Sequence, residues 1–193
     1  MALRPQALGE RHSMNKQDFI ALATPPARAS SLASLLPPGV TVAQAAVESE
    51  WGEKAPGNNY FGITGHGDCP DIPLDTHECL TDAQLAEELR SGRILKLTGT
   101  GVAIPGSPRK RYPVVRKFGA WSTMEANFAA RDHMIMTYPE YAPAYLAWVN
   151  DHDVEAYVRA FARHWASDQH YADTVLEVYH GNKLAELDKA VTS

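Results

Sequence analysis

Cysteine is nearly absent from this chain, with two among 193 residues, Cys69 and Cys79. That excludes a small fold held together by a framework of several disulfides. A long apolar run is also missing: nothing approaches the ~20 residues that a membrane-spanning helix needs. Strong charge of either sign is absent as well. A net charge of −5 gives no general attraction to nucleic acid, so nucleic acid is not an expected partner. No internal repeat and no low-complexity tract is present. The stretch from Met1 to Lys16 lacks the apolar core of a secretory signal. A target outside the cytoplasm would then be reached by holin release or through a secretion machine.

What remains is the composition of an ordinary globular protein. Hydrophobic residues make up 45% of the chain, enough for a real core. The length suits one domain or two small lobes. Residues 1–14 read as a loose leader and 15–193 as a single domain. The two cysteines lie on either side of Pro70-Asp71-Ile72-Pro73. They are open to three readings: free thiols, a disulfide stapling this short loop, or a zinc site completed by His66 and His77. The spacings His66-x-x-Cys69 and His77-x-Cys79 are not the usual paired-cysteine pattern of zinc, and no metal or other cofactor is assigned.

The local patterns predict helices, an irregular β insertion, then helices again. Asn15 to Ala23 opens a first helix. Pro25-Pro26 starts a second over Ala27–Leu36, which Pro37-Pro38-Gly39 closes. Thr41 is the expected N-cap of a third, apolar helix ending at Glu48. On it Gln44 and Glu48 are four apart and share a face, whereas Glu50 points away. Between residues 60 and 117 prolines, glycines and short alternations replace helical periodicity. Pro73–Leu80 reads as a strand, and Thr81 or Asp82 caps a short helix to Arg90. Ile94–Leu97 and Val102–Ile104, flanking Thr98-Gly99-Thr100-Gly101, read as a hairpin. Arg109, Lys110, Arg111, Arg116 and Lys117 make the end of this segment basic: either a solvated hairpin or an attractor of anionic polymers. Ser122 or Thr123 caps a helix through Phe128 to Met136. Val154, Tyr157, Val158, Phe161, Ala162 and Trp165 recur at i, i+3, i+4, i+7, i+8 and i+11, an amphipathic helix. Tyr171–Tyr179 forms the last main helix, ended by Gly181. The expected architecture is α+β, a mainly helical lobe and a small β lobe (about 60–117) with a cleft between them.

A glutamate where a buried helix runs out is well placed to be half desolvated. Desolvation raises a carboxyl pKa and lets it hold a proton. A proton donor of that kind, with a second carboxylate across the bond, is what glycoside cleavage requires. Glu48 is the first candidate. Glu78, on the strand expected to form the opposite wall, is the second. Trp51 reads either as a sugar-stacking platform or as a plug at the helix end. The pair Asp132-His133 reads as a surface pair, because adjacent helix positions do not face each other. His164 lies on the polar side of its helix.

Four blocks extend this reading. They are Ala43-Gln44-Ala45-Ala46-Val47-Glu48-Ser49-Glu50-Trp51-Gly52 with Asn58-Asn59-Tyr60-Phe61-Gly62-Ile63; Asp75-Thr76-His77-Glu78; Phe118-Gly119-Ala120-Trp121-Ser122-Thr123-Met124-Glu125; and Trp165-Ala166-Ser167-Asp168-Gln169-His170-Tyr171-Ala172. In this order they resemble glycoside hydrolase family 73, the flagellar-type and autolysin-type β-N-acetylglucosaminidases that cut peptidoglycan. The resemblance implies a lysozyme-like fold and hydrolysis of the β-1,4 bond after N-acetylglucosamine. It carries the catalytic acid onto Glu48, the second carboxylate onto Glu78 and a cleft tyrosine onto Tyr171. It places Asn59 and Phe61 in the loop that shapes the sugar sites; Gln44, Trp51, Tyr60 and Trp165 are further substrate-binding candidates. The chain departs from the family at Glu50, where a small residue is usual, and at Trp121 and Trp165, which replace tyrosines. Glu78 as base or charge stabiliser, and the substrate's own acetamido group as nucleophile, both stay open. So do a muramidase or lytic transglycosylase on the same type of fold, and a peptidoglycan-binding or assembly module without turnover. The resemblance implies a partner in glycan strands, in the periplasm or cell wall; monomer is the default expectation for an enzyme working on an insoluble polymer. Endolysin, secreted effector and wall-remodelling enzyme are equally compatible settings.

Overall fold

The computed structural model describes residues 14–65, 67–166 and 168–189. All of the leader except Met14 lies outside the described residues. So do His66 of the zinc reading and Ser167 of the fourth motif block.

The helical lobe is built from α1 (Lys16–Ser34), α2 (Pro38–Glu48), α4 (Met124–Thr137), α5 (Ala142–Asp151), α6 (Val154–Trp165), α7 (Tyr171–Gly181) and the short α8 (Ala185–Asp188). A small lobe between α2 and α4 holds β1 (Cys69–Leu80), α3 (Asp82–Arg90), β2 (Ile94–Leu97), β3 (Val102–Ala103) and β4 (Lys110–Ala120). The α+β, two-lobed plan follows the sequence expectation. None of the helices among the described residues is long and apolar enough to cross a membrane.

The expected break at Pro25-Pro26 does not occur. Asn15 caps α1 by accepting from the N–H groups of Gln17 and Asp18, and one helix runs through both prolines. Each proline removes a donor to the carbonyl four residues back, here Ala21 and Leu22. Both of those residues are on the exposed side of the helix, where a freed carbonyl is open to solvent, while the buried face formed by Phe19, Ala23, Pro26 and Ala27 keeps the helix continuous. Thr41 is not the N-cap of α2 either. That helix starts at Pro38, whose missing N–H falls where it costs nothing. Thr41 lies inside it, buried, donating to the Pro37 carbonyl. The helix α5 has no counterpart in the sequence reading. Pro143 in its first turn is its start signal, and Trp148 anchors it by donating from Nε1 to the Leu35 carbonyl (2.6 Å).

In the sheet, β4 is central. It pairs along one edge with β1, from Cys69↔Ala120 to Leu80↔Lys110. Along its other edge lie β2 (Ile94↔Arg116, Leu97↔Val114) and then β3 (Val102↔Arg111, Ala103↔Lys110). The expected hairpin at Thr98–Gly101 is therefore a loop between two segments of one edge. Pro113 explains it. Its carbonyl accepts from the Thr98 N–H (3.0 Å), but it has no N–H to return, so the ladder parts there. A Cβ on Gly101 would stand 2.2 Å from the Tyr112 ring, which keeps this position glycine. Of the two expected caps of α3, Thr81 rather than Asp82 fills the role, and it closes a capping box with Gln84. That helix covers a small second core of Leu85, Ile94, Tyr112 and Val114.

Cys69 and Cys79 are free and stand ten residues apart on β1. At the rise of an extended strand that is roughly 30 Å, against under ~7 Å between the Cα atoms of a disulfide. The strand thus removes both the disulfide and a metal ion shared by the two thiols. A reducing agent is expected to leave the melting temperature unchanged in a thermal scan; a drop would contradict this strand.

The amino end of α2 is anchored by its neighbours. The Gly39 N–H donates to Asp188 Oδ1 (2.6 Å), whose other oxygen accepts from the Tyr179 hydroxyl (2.6 Å). A Cβ on Gly39 would lie 2.3 Å from the Leu184 carbonyl oxygen. Gly39→Ala is expected to cost about 1–3 kcal/mol by overpacking, read as a fall in melting temperature; an unchanged value would contradict the packing.

Candidate active site

Helix α2 is apolar on nearly every side because it runs through the core: Val40, Val42, Ala43 and Ala45 are fully buried. It stops immediately after Glu48. Ser49 donates from Oγ to the Ala45 carbonyl (2.6 Å) and accepts from the Gly52 N–H (2.9 Å). Glu50 and Trp51 turn into the left-handed region at φ 49° and 60°. The reversal sends Glu50 outward to an exposed ion pair with Lys54 and leaves Glu48 as the last helical side chain.

Glu48 is largely buried, and burial holds its carboxyl pKa above the ordinary 4.5. Two donors oppose that shift, the Tyr171 hydroxyl and the Trp165 side chain. The tyrosine bond is 2.5 Å, to Oε1. Behind it runs a buried chain whose direction is fixed at its far end. Arg131 is fully buried and carries donors only. Its Nε and Nη2 donate to Gln44 Oε1 at 2.9 and 2.7 Å, so the Gln44 amide must turn its NH₂ away. That nitrogen donates to the Tyr171 oxygen at 3.2 Å. The tyrosine proton then has one place to go, Oε1 of Glu48. The carbonyl-type oxygen of a neutral carboxyl is the better acceptor, so the bond from Tyr171 to Oε1 favours a proton on Oε2. Oε2 faces Gly62, 3.9 Å from where a Cβ would stand.

Arg131 is held in turn by Asp132, through Nη1 to Oδ1 at 2.8 Å. Asp132 Oδ2 accepts from Ser30 (2.5 Å) and Ser34 (2.7 Å). The surface reading of Asp132 is thus corrected: it is buried, and only His133 is exposed. Arg131 bends back along the helix to reach its neighbour, so the two side chains meet although the positions do not face each other.

On the far side of Gly62 from Glu48, a cavity of about 310 Å³ opens between the lobes. Phe61, Gly62 and Trp165 line its helical side, and Glu78 and Arg116 its sheet side. Glu78 alternates on β1 with exposed His77 and Asp75. Arg116 reaches it from β4 (Nη1 to Oε1, 3.2 Å) and also touches Glu88 of α3 (3.3 Å). The loop between Glu48 and the sheet is braced by its two asparagines. Asn59, buried, donates to the carbonyls of Ile63 and Gly119 and accepts from the Ile63 N–H. Asn58 donates to the carbonyls of Trp121 and Ser122.

Of the residues singled out in the sequence, Phe61, Trp165 and Glu78 line this cavity; Glu48, with Tyr171 bound to it, stands behind the Gly62 wall, towards which its Oε2 points. Gln44 and Asn59 stand behind it: one directs Tyr171 and the other shapes the loop. Trp51 and Tyr60 lie elsewhere. Trp51 packs edge-on against Phe19 at 6.0 Å with Lys16 over its face, the plug of its two readings. Tyr60 packs against Phe19 and Phe128. Sequence reasoning did not single out Arg131 or Tyr141, and it left Arg116 within a general basic run. A signal for Arg131 existed: Met124, Phe128, Arg131 and Ile135 form the buried stripe of α4, and a cation on such a stripe needs partners. Among the described residues no group of His, Cys, Asp and Glu is arranged to hold a metal ion.

A family profile described as "Glucosaminidase: Mannosyl-glycoprotein endo-beta-N-acetylglucosaminidase" matches residues 24–184. No curated protein matches the sequence. Among solved structures, the catalytic domain of the autolysin Auto from Listeria monocytogenes superposes with a TM-score of 0.68 at 20% identity, covering 94% of this chain and 93% of that one. A mutant peptidoglycan hydrolase from Sphingomonas sp. A1 gives 0.61 at 23% identity, covering 89% and 97%. A C-terminally truncated glycoside hydrolase domain of FlgJ from Salmonella typhimurium gives 0.58 at 22%, covering 88% and 98%. These likenesses establish the fold.

Proposed function

This chain belongs to the glucosaminidase family of glycoside hydrolases, and we propose that it cuts the β-1,4 bond after N-acetylglucosamine in bacterial peptidoglycan with Glu48 as general acid. The observation that carries the assignment is the buried chain Arg131–Gln44–Tyr171–Glu48. It leaves one carboxyl oxygen free of the donor network, on the side of Gly62, and burial keeps a proton on that carboxyl at a higher pH than in water.

In the proposed reaction the glycan strand lies between the lobes. Glu48 passes its proton from Oε2 to the leaving oxygen as the bond breaks. Positive charge develops on the sugar ring, facing Glu78. Arg116 holds that carboxylate as an ion pair, ready either to stabilise the charge or to orient a water molecule. Tyr171 acts after proton transfer, since its hydroxyl donates to Glu48 and stabilises the carboxylate it becomes. At position 165, where the family usually has a tyrosine, Trp165 lines the cavity. Phe61 and Trp165 supply apolar surface for a sugar ring. The enzyme is proposed to work as a monomer on glycan strands in the periplasm or cell wall.

Digestion of purified peptidoglycan, borohydride reduction and mass spectrometry test the bond specificity. Fragments ending in reduced N-acetylglucosamine are expected. Reduced muramic acid ends would mark a muramidase, and 1,6-anhydro ends a transglycosylase; either would overturn the assignment.

A further inference from the structure

The two lobes meet a second time around a larger cavity of about 530 Å³. Arg109, at the end of the β3–β4 connection, lines it from the sheet side; Arg159 and Arg163, one turn apart on α6, line it from the helical side. Three guanidiniums gather here in a chain of net charge −5. Arg159 pairs with Asp173 at 2.9 Å. Arg109 and Arg163 have no ion-pair partner among the described residues. Asp168 also faces the cavity, and its Oδ1 is engaged by the His170 N–H (2.9 Å). The basic run of the sequence therefore divides. Arg116 serves the cleft, Lys110 pairs with Asp82, and Arg109 is left for this cavity.

The cavity adjoins the catalytic cleft. Ala166 and Ala172 line it, each directly following a residue that touches Glu48, Trp165 and Tyr171. Arg109 lies seven residues from Arg116 along extended chain, roughly 23 Å at the rise of a strand. A polymer lying in the cleft can reach both. Guanidiniums without acid partners match planar oxyanions, carboxylate above all, through paired N–H donors.

We propose that this cavity binds carboxylates of the peptide stems attached to the glycan strand, so that the enzyme prefers peptide-bearing over bare strands. This rests on peptidoglycan being the substrate. The same chemistry would accept phosphate groups of wall polymers, and the choice of substrates separates the two sources.

The test compares the wild type with the double variant Arg109→Gln, Arg163→Gln on two soluble substrates. Both are glycan strands freed of phosphate polymers; one keeps its stems and the other has lost them to an amidase. On stem-bearing strands the variant is expected to lose roughly tenfold in kcat/KM, the scale of one or two charge-assisted hydrogen bonds, with the change in KM. On bare strands it should match the wild type, and the melting temperature should not move. Equal rates for both proteins on stem-bearing strands would overturn the proposal, as would an equal loss on both substrates. A loss seen only when phosphate polymers are left on the strands would assign the cavity to them instead and overturn the stem assignment. Wild type that cuts neither substrate would overturn the peptidoglycan reading itself, and this cavity's role with it.

Discussion

Glu48→Gln is expected to lower turnover of peptidoglycan by about 10²- to 10⁴-fold, the range that a positioned proton donor contributes. An amide keeps the shape of the side chain and can still accept from Tyr171, but has no proton to give at the leaving oxygen. The same substitution should make the folded protein more stable at neutral pH. The sign follows from the raised pKa of Glu48. Between the unfolded value, near 4.5, and the higher folded value, the native state binds a proton that the unfolded chain has released. Stability is therefore lost as pH rises through this window, and the loss persists above it. The amide does not ionise, so the variant escapes this loss. Thermal scans should show the variant melting above the wild type at pH 7, with the gap closing as pH falls below the ordinary carboxylate range. An inactive variant that melts lower at pH 7 would mean that the substitution damages the fold.

The second large effect concerns the chain behind the acid. Tyr171→Phe removes the donor to Oε1, and Gln44→Glu reverses its direction. A glutamate at position 44 still receives Arg131, but it offers Tyr171 an acceptor in place of a donor, so the tyrosine proton is drawn away from Glu48. A new negative charge also arrives near the acid. Both changes raise the Glu48 pKa further, because Tyr171 is the larger of the two contacts that hold it down. In the proposed mechanism protonated Glu48 is the active form, so the alkaline limb of kcat/KM against pH should move to higher pH in both variants. The maximal rate should fall about 10- to 100-fold, as expected for a mispositioned catalytic group. A purely structural role for Tyr171 and Gln44 would lower the rate and leave the limb where it is. Tyr171→Phe should fold, since the ring stays packed. Arg131 is a poorer probe: removing it strands Asp132 in the core, at a cost of about 3–5 kcal/mol.

Local signals made much of this legible in the sequence. The four-residue spacing of Gln44 and Glu48 places both on the face that meets Tyr171. The amphipathic repeat from Val154 to Trp165 marks α6 to the residue, and the Thr81-Asp82 pair marks the start of α3. What escaped depends on contacts made at a distance. The Pro25-Pro26 pair reads as a break until the packing of α1 and the exposure of two carbonyls are known. Pro113 sets the course of an edge strand fifteen residues upstream. The apolar stripe of α4 marks Arg131 as a buried cation, but its partners Gln44 and Asp132 and the rings of Phe61, Tyr157 and Phe161 come together only in the fold. Its role in setting the acid proton belongs to the tertiary structure.

Central to the account is the claim that burial against Tyr171 and Trp165 poises Glu48 as the proton donor. The direct measurement is a ¹³C titration of the Glu48 carboxyl carbon in the folded wild type, identified by its loss in Glu48→Gln. A midpoint above 4.5 that coincides with the alkaline limb of peptidoglycan cleavage is the predicted result. A midpoint at or below 4.5, in an enzyme still active near neutral pH, would contradict it.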